Sequence, residues 1–243
     1  MNKYLAYSKD LLSSILFISP FIILYEILCY FIFLNKDYEI RNKDYEIRNL
    51  ADVFIRDKFY ILGEISQLLY IFILISIVVI YVLYNYQKYD LYTFSLPYSI
   101  FMILEGFFYS FILLLIINGI EVFSIENQVN DYPYFINFYS SVGAGIWEEI
   151  FFRLIMFSVF AFIFKTIFKN ERLSVFMSLI LSSLLFSLFH YYGNLGEMFL
   201  LDTFIIRFVA GVLLCLIYIN RGLGIVCVTH ICYDVFLFTI PLI

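Results

Sequence analysis

The chain has 243 residues, 63% of them hydrophobic and only 14% charged, with a strongly positive mean hydropathy. A soluble domain carries about a quarter charged residues, so this composition excludes a protein that shields its apolar surface with polar side chains, and lipid must be the solvent for much of it. The net charge of −5 is small and scattered, and no basic patch is interleaved with aromatics, which excludes a nucleic-acid partner.

At the N-terminus Lys3 and Lys9 precede an apolar stretch from Leu11 to Leu34. A signal peptide begins this way, but no small-residue cleavage site is present, so a retained first span is predicted. About 20 apolar residues cross a bilayer as a helix. On that measure the predicted spans are 11–34, 59–84, 94–120, 139–164, 174–192, 203–220 and 222–242, seven in all, with six or eight also compatible. Backbone groups in lipid must be satisfied within the segment, and nothing shows the polar/apolar alternation of a barrel. The predicted fold is therefore all-α, a polytopic transmembrane helical bundle, multi-pass and placed in the cell membrane.

Between the first two spans a polar loop covers 35–58. The unit NKDYEIR occurs at 35–41 and again at 42–48, and it reads as a local tandem duplication in a tolerant surface loop. The following LADVFIRDKFYILG reads as an interfacial helix leading into the second span. Lysine and arginine near the span ends favour a cytoplasmic N-terminus. The expected organisation is a set of N-terminal spans with the polar loop over 1–138 and a catalytic membrane core over 139–243. Cys29, Cys215, Cys227 and Cys232 all lie in apolar runs without a C-x-x-C pair, so they are expected as small buried hydrophobes.

An ionisable residue inside a span is a functional hypothesis by default. The segment EEIFFR (148–153) sets Glu149 four residues before Arg153, on one helical face where they can pair. Glu148 is rotated about 100° from Glu149 and can point elsewhere, so one acid neutralises the arginine and the other stays free. FSLFH (186–190) places Phe186 and His190 on one face near the end of a span. HICYD (230–234) does the same for His230 and Asp234. Those are the chain's two histidines, and a histidine in hydrocarbon is either hydrogen-bonded and neutral or used as acid, base or ligand. Antiparallel neighbours bring Glu148 and His190 to the same membrane face, and His230 and Asp234 sit near mid-depth, so one shared site is compatible with the spacing.

Blander explanations stand beside these. An E-E-x-x-x-R pattern also marks an ion-paired helix surface, and interhelical hydrogen bonding or neutralisation accounts for Glu26, Glu64 and Glu105. Asp202 and Arg207 bracket the start of the sixth span, where a pair near the interface is expected.

Taken in this order, the three motifs resemble those of the CPBP intramembrane proteases, the CAAX protease and bacteriocin-processing (Abi) family that includes the type II CAAX prenyl endopeptidase. The family reads E-E-x-x-x-R, F-x-x-x-H and H-x-x-x-N or H-x-x-x-D. Its F-x-x-G-x-x-x-G stretch is matched at Phe208 and Gly211, with Cys215 in place of the second glycine. The resemblance covers 143–236. It implies hydrolysis of a peptide bond in a membrane-associated or prenylated protein or peptide, the bilayer and that substrate being the partners. It further implies that Glu148 and His190 activate the water, that His230 and Asp234 stabilise or orient the oxyanion, and that Glu149 and Arg153 hold the site's shape. A metal-free reaction is favoured. The alternative is zinc on Glu148, His190 and His230, a mixed three-ligand set with an open position for water.

Two other classes share these features: a transporter using the ionisable residues as a relay, and a non-catalytic immunity or scaffold membrane protein of the same fold. No repeat of the spans and no matching pair of interrupted helices points to the carrier.

Overall fold

The computed structural model describes residues 3–34, 48–60, 76, 95–121, 134–193 and 196–239. The expected second span at 59–84, most of the duplicated NKDYEIR segment and Glu64 lie outside the described residues. Among the described residues the chain is all-helical. It runs α1 (Lys3–Lys9), α2 (Leu11–Leu34), α3 (Leu50–Tyr60), α4 (Leu96–Glu121), α5 (Tyr134–Phe168), α6 (Glu171–Phe189), α7 (Leu201–Arg221) and α8 (Leu223–Thr239).

Five of these, α2, α4, α5, α6 and α7, are long and apolar enough to cross a membrane. The apolar stretch of α8 is shorter, Leu223–Phe238, and the end of its expected span at 240–242 is outside the described residues. The side chains are distributed as lipid solvation requires. On α4 the exposed face is Phe101, Leu104, Phe108, Phe111 and Leu115, recurring at helical spacing, while Ser99 and Ser110 are buried. Water would penalise that stripe by roughly 25 cal/mol per Å² of apolar area; lipid does not.

Helix α8 is the central post of the bundle. Every residue from Gly222 to Ile231 is buried, as expected of a helix that is apolar all round, and it packs against α1, α2, α4, α5 and α7. Two backbone features set its position. Gly222, the single residue between α7 and α8, has φ +91° and lies against the Ser8–Lys9 backbone, a conformation and a proximity that a side chain would not tolerate. Gly145 of α5 lies so close to α8 that an added Cβ would stand 2.6 Å from Ile231 N and 3.0 Å from Cys227 O.

Helix α6 uses serines for the same purpose. Ser174, Ser178, Ser182, Ser183 and Ser187 are all buried, small enough for neighbouring backbones to come close. Several hydroxyls bond back to their own helix, and Ser187 Oγ donates across to Phe204 O of α7 at 2.7 Å.

The middle of α5, Ala144–Phe157, is wound as a π-helix. Single π-turns are the usual occurrence and gather at functional sites; here the segment holds Glu148, Glu149 and Arg153.

Candidate active site

Three helices bring the motif residues together. Helix α5 supplies Glu148, Glu149 and Arg153, the C-terminal end of α6 supplies Phe186 and His190, and α8 supplies His230 and Asp234. Glu149 is fully buried and Arg153 is 1% exposed. Their ion pair spans 3.1 Å from Nε to Oε2. The other Glu149 oxygen accepts from His230 Nδ1 at 2.7 Å. Glu149 thus joins the arginine to the second histidine, a link that spacing along the sequence does not reveal. The Arg153 guanidinium is also met by Gly211 O, to which Nη2 donates at 3.3 Å, and by the Phe186 ring 4.3 Å beneath it.

Phe186 is the hub of the packing. Its ring meets His190 edge-on at 5.1 Å and His230 at 6.0 Å. A Cβ on Gly211 would stand 3.1 Å from that ring, so the glycine lets α7 close over it. Cys215, in place of the second glycine, is fully buried beside Ser182, with 3.9 Å between Sγ and Oγ.

Hydrogen bonding fixes both imidazoles. His190 Nδ1 donates to Phe186 O at 2.9 Å, and His230 Nδ1 donates to Glu149. In each ring the Nε2 atom is therefore turned to the remaining space. Both Nε2 atoms face one oxygen: Glu148 Oε2 lies 3.9 Å from His190 Nε2 and 4.0 Å from His230 Nε2. Glu148 is 6% exposed, and this Oε2 accepts no hydrogen bond from the described protein groups. Its other oxygen accepts from Asn49 Nδ2 at 2.9 Å. Asp234 Oδ2 stands 3.6 Å from His230 Nε2, so Glu149, and not Asp234, sets the ring's tautomer.

The match of the described residues to zinc was tested on these separations. A tetrahedral zinc with ligand bonds of about 2.0–2.2 Å holds its donor atoms about 3.4 Å apart. Glu148 Oε2 stands 3.9 and 4.0 Å from the two nitrogens, and no group of three or more His, Cys, Asp and Glu among the described residues is arranged to hold a metal ion. As placed, Glu148, His190 and His230 do not fit the ion.

The comparisons with known proteins bear on the same segment. Residues 130–236 match the family model described as Type II CAAX prenyl endopeptidase Rce1-like. Over that segment the chain is similar to the CAAX protease family. No curated protein and no solved structure gives a match. The matched segment includes Glu148, Glu149, Arg153, His190, His230 and Asp234. The match supports intramembrane CAAX protease activity in general, and with the five apolar helices it points to an integral membrane protein.

Other sequence expectations resolve into ion pairs. Glu26 holds Arg48 at 2.9 Å and Arg56 at 2.5 Å, and both arginines also hold Asp52. Burial opposes the Arg48 charge, but its hydrogen bonds to Glu26 and the fields of Glu26 and Asp52 hold its pKa above the ordinary arginine value. Glu105 pairs with Arg221 and accepts from Tyr4 OH at 2.6 Å. Arg207 pairs with Glu197 at 2.6 Å rather than with Asp202, because the loop before α7 folds back and Glu197 N donates to His190 O at 3.0 Å. The expected interfacial helix is present as α3, but its start is turned inward: Ala51 and Asp52 are fully buried. Asn49 is the site residue that sequence reasoning missed. The signal it carries, an asparagine before an apolar run, is that of a helix N-cap.

Proposed function

We propose that this chain is an intramembrane endopeptidase that hydrolyses a peptide bond in a membrane-associated or prenylated protein or peptide, using water activated by Glu148 and His190. The observation that carries the reading is the single buried carboxylate oxygen, Glu148 Oε2, faced by two imidazole Nε2 atoms at 3.9 and 4.0 Å. A water at about 2.8 Å from each of two such atoms can bridge the gap between them.

In this reading the water donates to Glu148 Oε2 and to His190 Nε2. Its oxygen attacks the scissile carbonyl carbon as Glu148 takes its proton, and Glu148 then returns that proton to the leaving amine as the C–N bond breaks. The charge that develops on the carbonyl oxygen is met by His230 Nε2–H. Glu149 holds the opposite N–H of that ring, so a doubly protonated His230 keeps an acceptor at Nδ1 while it donates from Nε2. Asp234 orients and balances that donor, and Arg153 anchors Glu149. Residues 139–243 form the catalytic core, 1–138 supply supporting spans, and the cell membrane is the proposed location.

The test is cleavage of two internally quenched probes by purified protein in detergent or nanodiscs. One ends in a farnesylated CAAX tetrapeptide, and the other is an unprenylated apolar peptide. Glu148→Gln and His190→Ala are expected to lower kcat by about 10²–10⁴-fold, the range for removal of a general acid–base group. Cleavage is expected to survive a strong chelator. Failure of the parent to cut either probe, or full activity in both variants, overturns the proposal. Loss of activity on chelation with recovery on added zinc overturns its metal-free form.

A further inference from the structure

Asn49 lies outside the segment that matches the family, about a hundred residues before Glu148, yet among the described residues it is the group that donates a hydrogen bond to that carboxylate. Asn49 Nδ2 donates to Glu148 Oε1 at 2.9 Å. We infer that Asn49 is a positioning residue that holds Glu148 with its second oxygen turned to the two histidines. The inference rests on the proposed role of Glu148 as base.

Three features fix the asparagine amide in that orientation. Its Oδ1 accepts from Ala51 N at 2.9 Å, capping the first turn of α3. With the oxygen committed there, the amide nitrogen is the end that faces Glu148. Its backbone N–H donates to Tyr25 OH at 3.0 Å, and that hydroxyl in turn donates to Asp52 Oδ2 at 3.3 Å. Tyr25 is fully buried and stacks on Tyr139 of α5 with ring centroids 4.8 Å apart. Finally, α5 carries Gly143 at the point of approach, where a Cβ would stand 2.5 Å from Tyr25 Cε2 and 3.3 Å from Asn49 Cβ.

Chemically, the arrangement gives the carboxylate one oxygen that is occupied and one that is free. Bonding to Oε1 removes the rotational freedom that would let either oxygen, or neither, face the imidazoles. A positioned group reacts faster than a mobile one because its orientational entropy is already lost before the reaction begins. The four-membered cluster of Glu26, Arg48, Asp52 and Arg56 fixes the start of α3 to α2, so the donor itself is held by a rigid support.

The test separates this role from simple capping. Asn49→Asp and Asn49→Ser both keep an N-cap side chain, but neither offers the amide donor to Glu148. With the probes described above, kcat is expected to fall at least 10-fold in Asn49→Ser and further in Asn49→Asp, where two carboxylates face each other. KM and the thermal midpoint of Asn49→Ser are expected to stay near those of the parent. In the Asn49→Ser, Glu148→Gln double variant the loss is expected to equal that of Glu148→Gln alone, as for residues acting as one unit. Parent-like kcat in Asn49→Ser overturns the inference, and so does a loss that simply multiplies with Glu148→Gln. If Glu148→Gln itself keeps full activity, the reading of the base has failed, and that outcome is distinct from either.

Discussion

Glu149 gives one oxygen to Arg153 and the other to His230, so substituting it acts on stability and on chemistry together. Removing one partner of a buried pair costs about 3–5 kcal/mol, because the other charge is left without compensation. Arg153→Met is therefore expected to lower the thermal midpoint strongly in a detergent melt, and Glu149→Gln likewise. The double variant Glu149→Gln, Arg153→Met is expected to be more stable than either single one, with cleavage still lost because a neutral amide replaces the carboxylate that supports a charged His230. Additive destabilisation in the double variant would show that the pair is not the structural unit described here. The pairing of Glu149 with Arg153 was legible in the sequence, since i,i+4 spacing on a helix leaves few other partners in an apolar run. The bond from Glu149 to His230 was not, because it joins residues 81 positions apart whose meeting depends on how α8 packs on α5. Asn49 was hidden for a different reason: its local role as a cap already explains it.

At the scale of elements, the spans were read from hydropathy because each must satisfy its backbone internally, and that requirement writes itself into length and composition. The helices seen over Leu11–Leu34, Leu96–Glu121, Tyr134–Phe168, Glu171–Phe189 and Leu201–Arg221 follow that rule. Winding is another matter. The π-helical stretch Ala144–Phe157 has no compositional mark, since the same apolar residues serve an α-helix equally well. Close packing of α5 on α8 is carried by Gly145. Gly145→Ala would drive a methyl group onto the α8 backbone at Ile231 N and Cys227 O, where no flexible side chain can yield. Loss of cleavage and a lowered thermal midpoint are expected, with His230 displaced from Glu149. Gly119→Ala on α4, where nothing lies within 4 Å, is the matched control and is expected to be neutral or slightly stabilising on helix propensity. Equal effects of the two substitutions would rule out close helix approach as the cause.

Among the described residues, the spans turn many large apolar side chains outward, while Glu148, Glu149, Arg153 and His230 are buried. The proposed site draws on the chain at four widely separated places: Asn49 before α3, Glu148 in α5, His190 after α6 and His230 in α8. The last of these depends on the central post, which packs on most of the other helices. A chain ended after Arg221 keeps Glu148 and His190 but lacks the ring that Glu149 holds, and it is expected to show no cleavage even where it inserts and survives. Full activity in that truncated chain would show that α8 contributes no reacting group.

The central position of α8 also bears on the birth of the protein. During synthesis the helices emerge in order, and α8, which completes the proposed constellation, follows the segments that carry Asn49, Glu148 and His190. Between the synthesis of residue 190 and that of residue 230 the nascent chain holds Glu148 and His190 without the second imidazole. The proposed centre is thereby expected to stay silent until α8 has packed against α5.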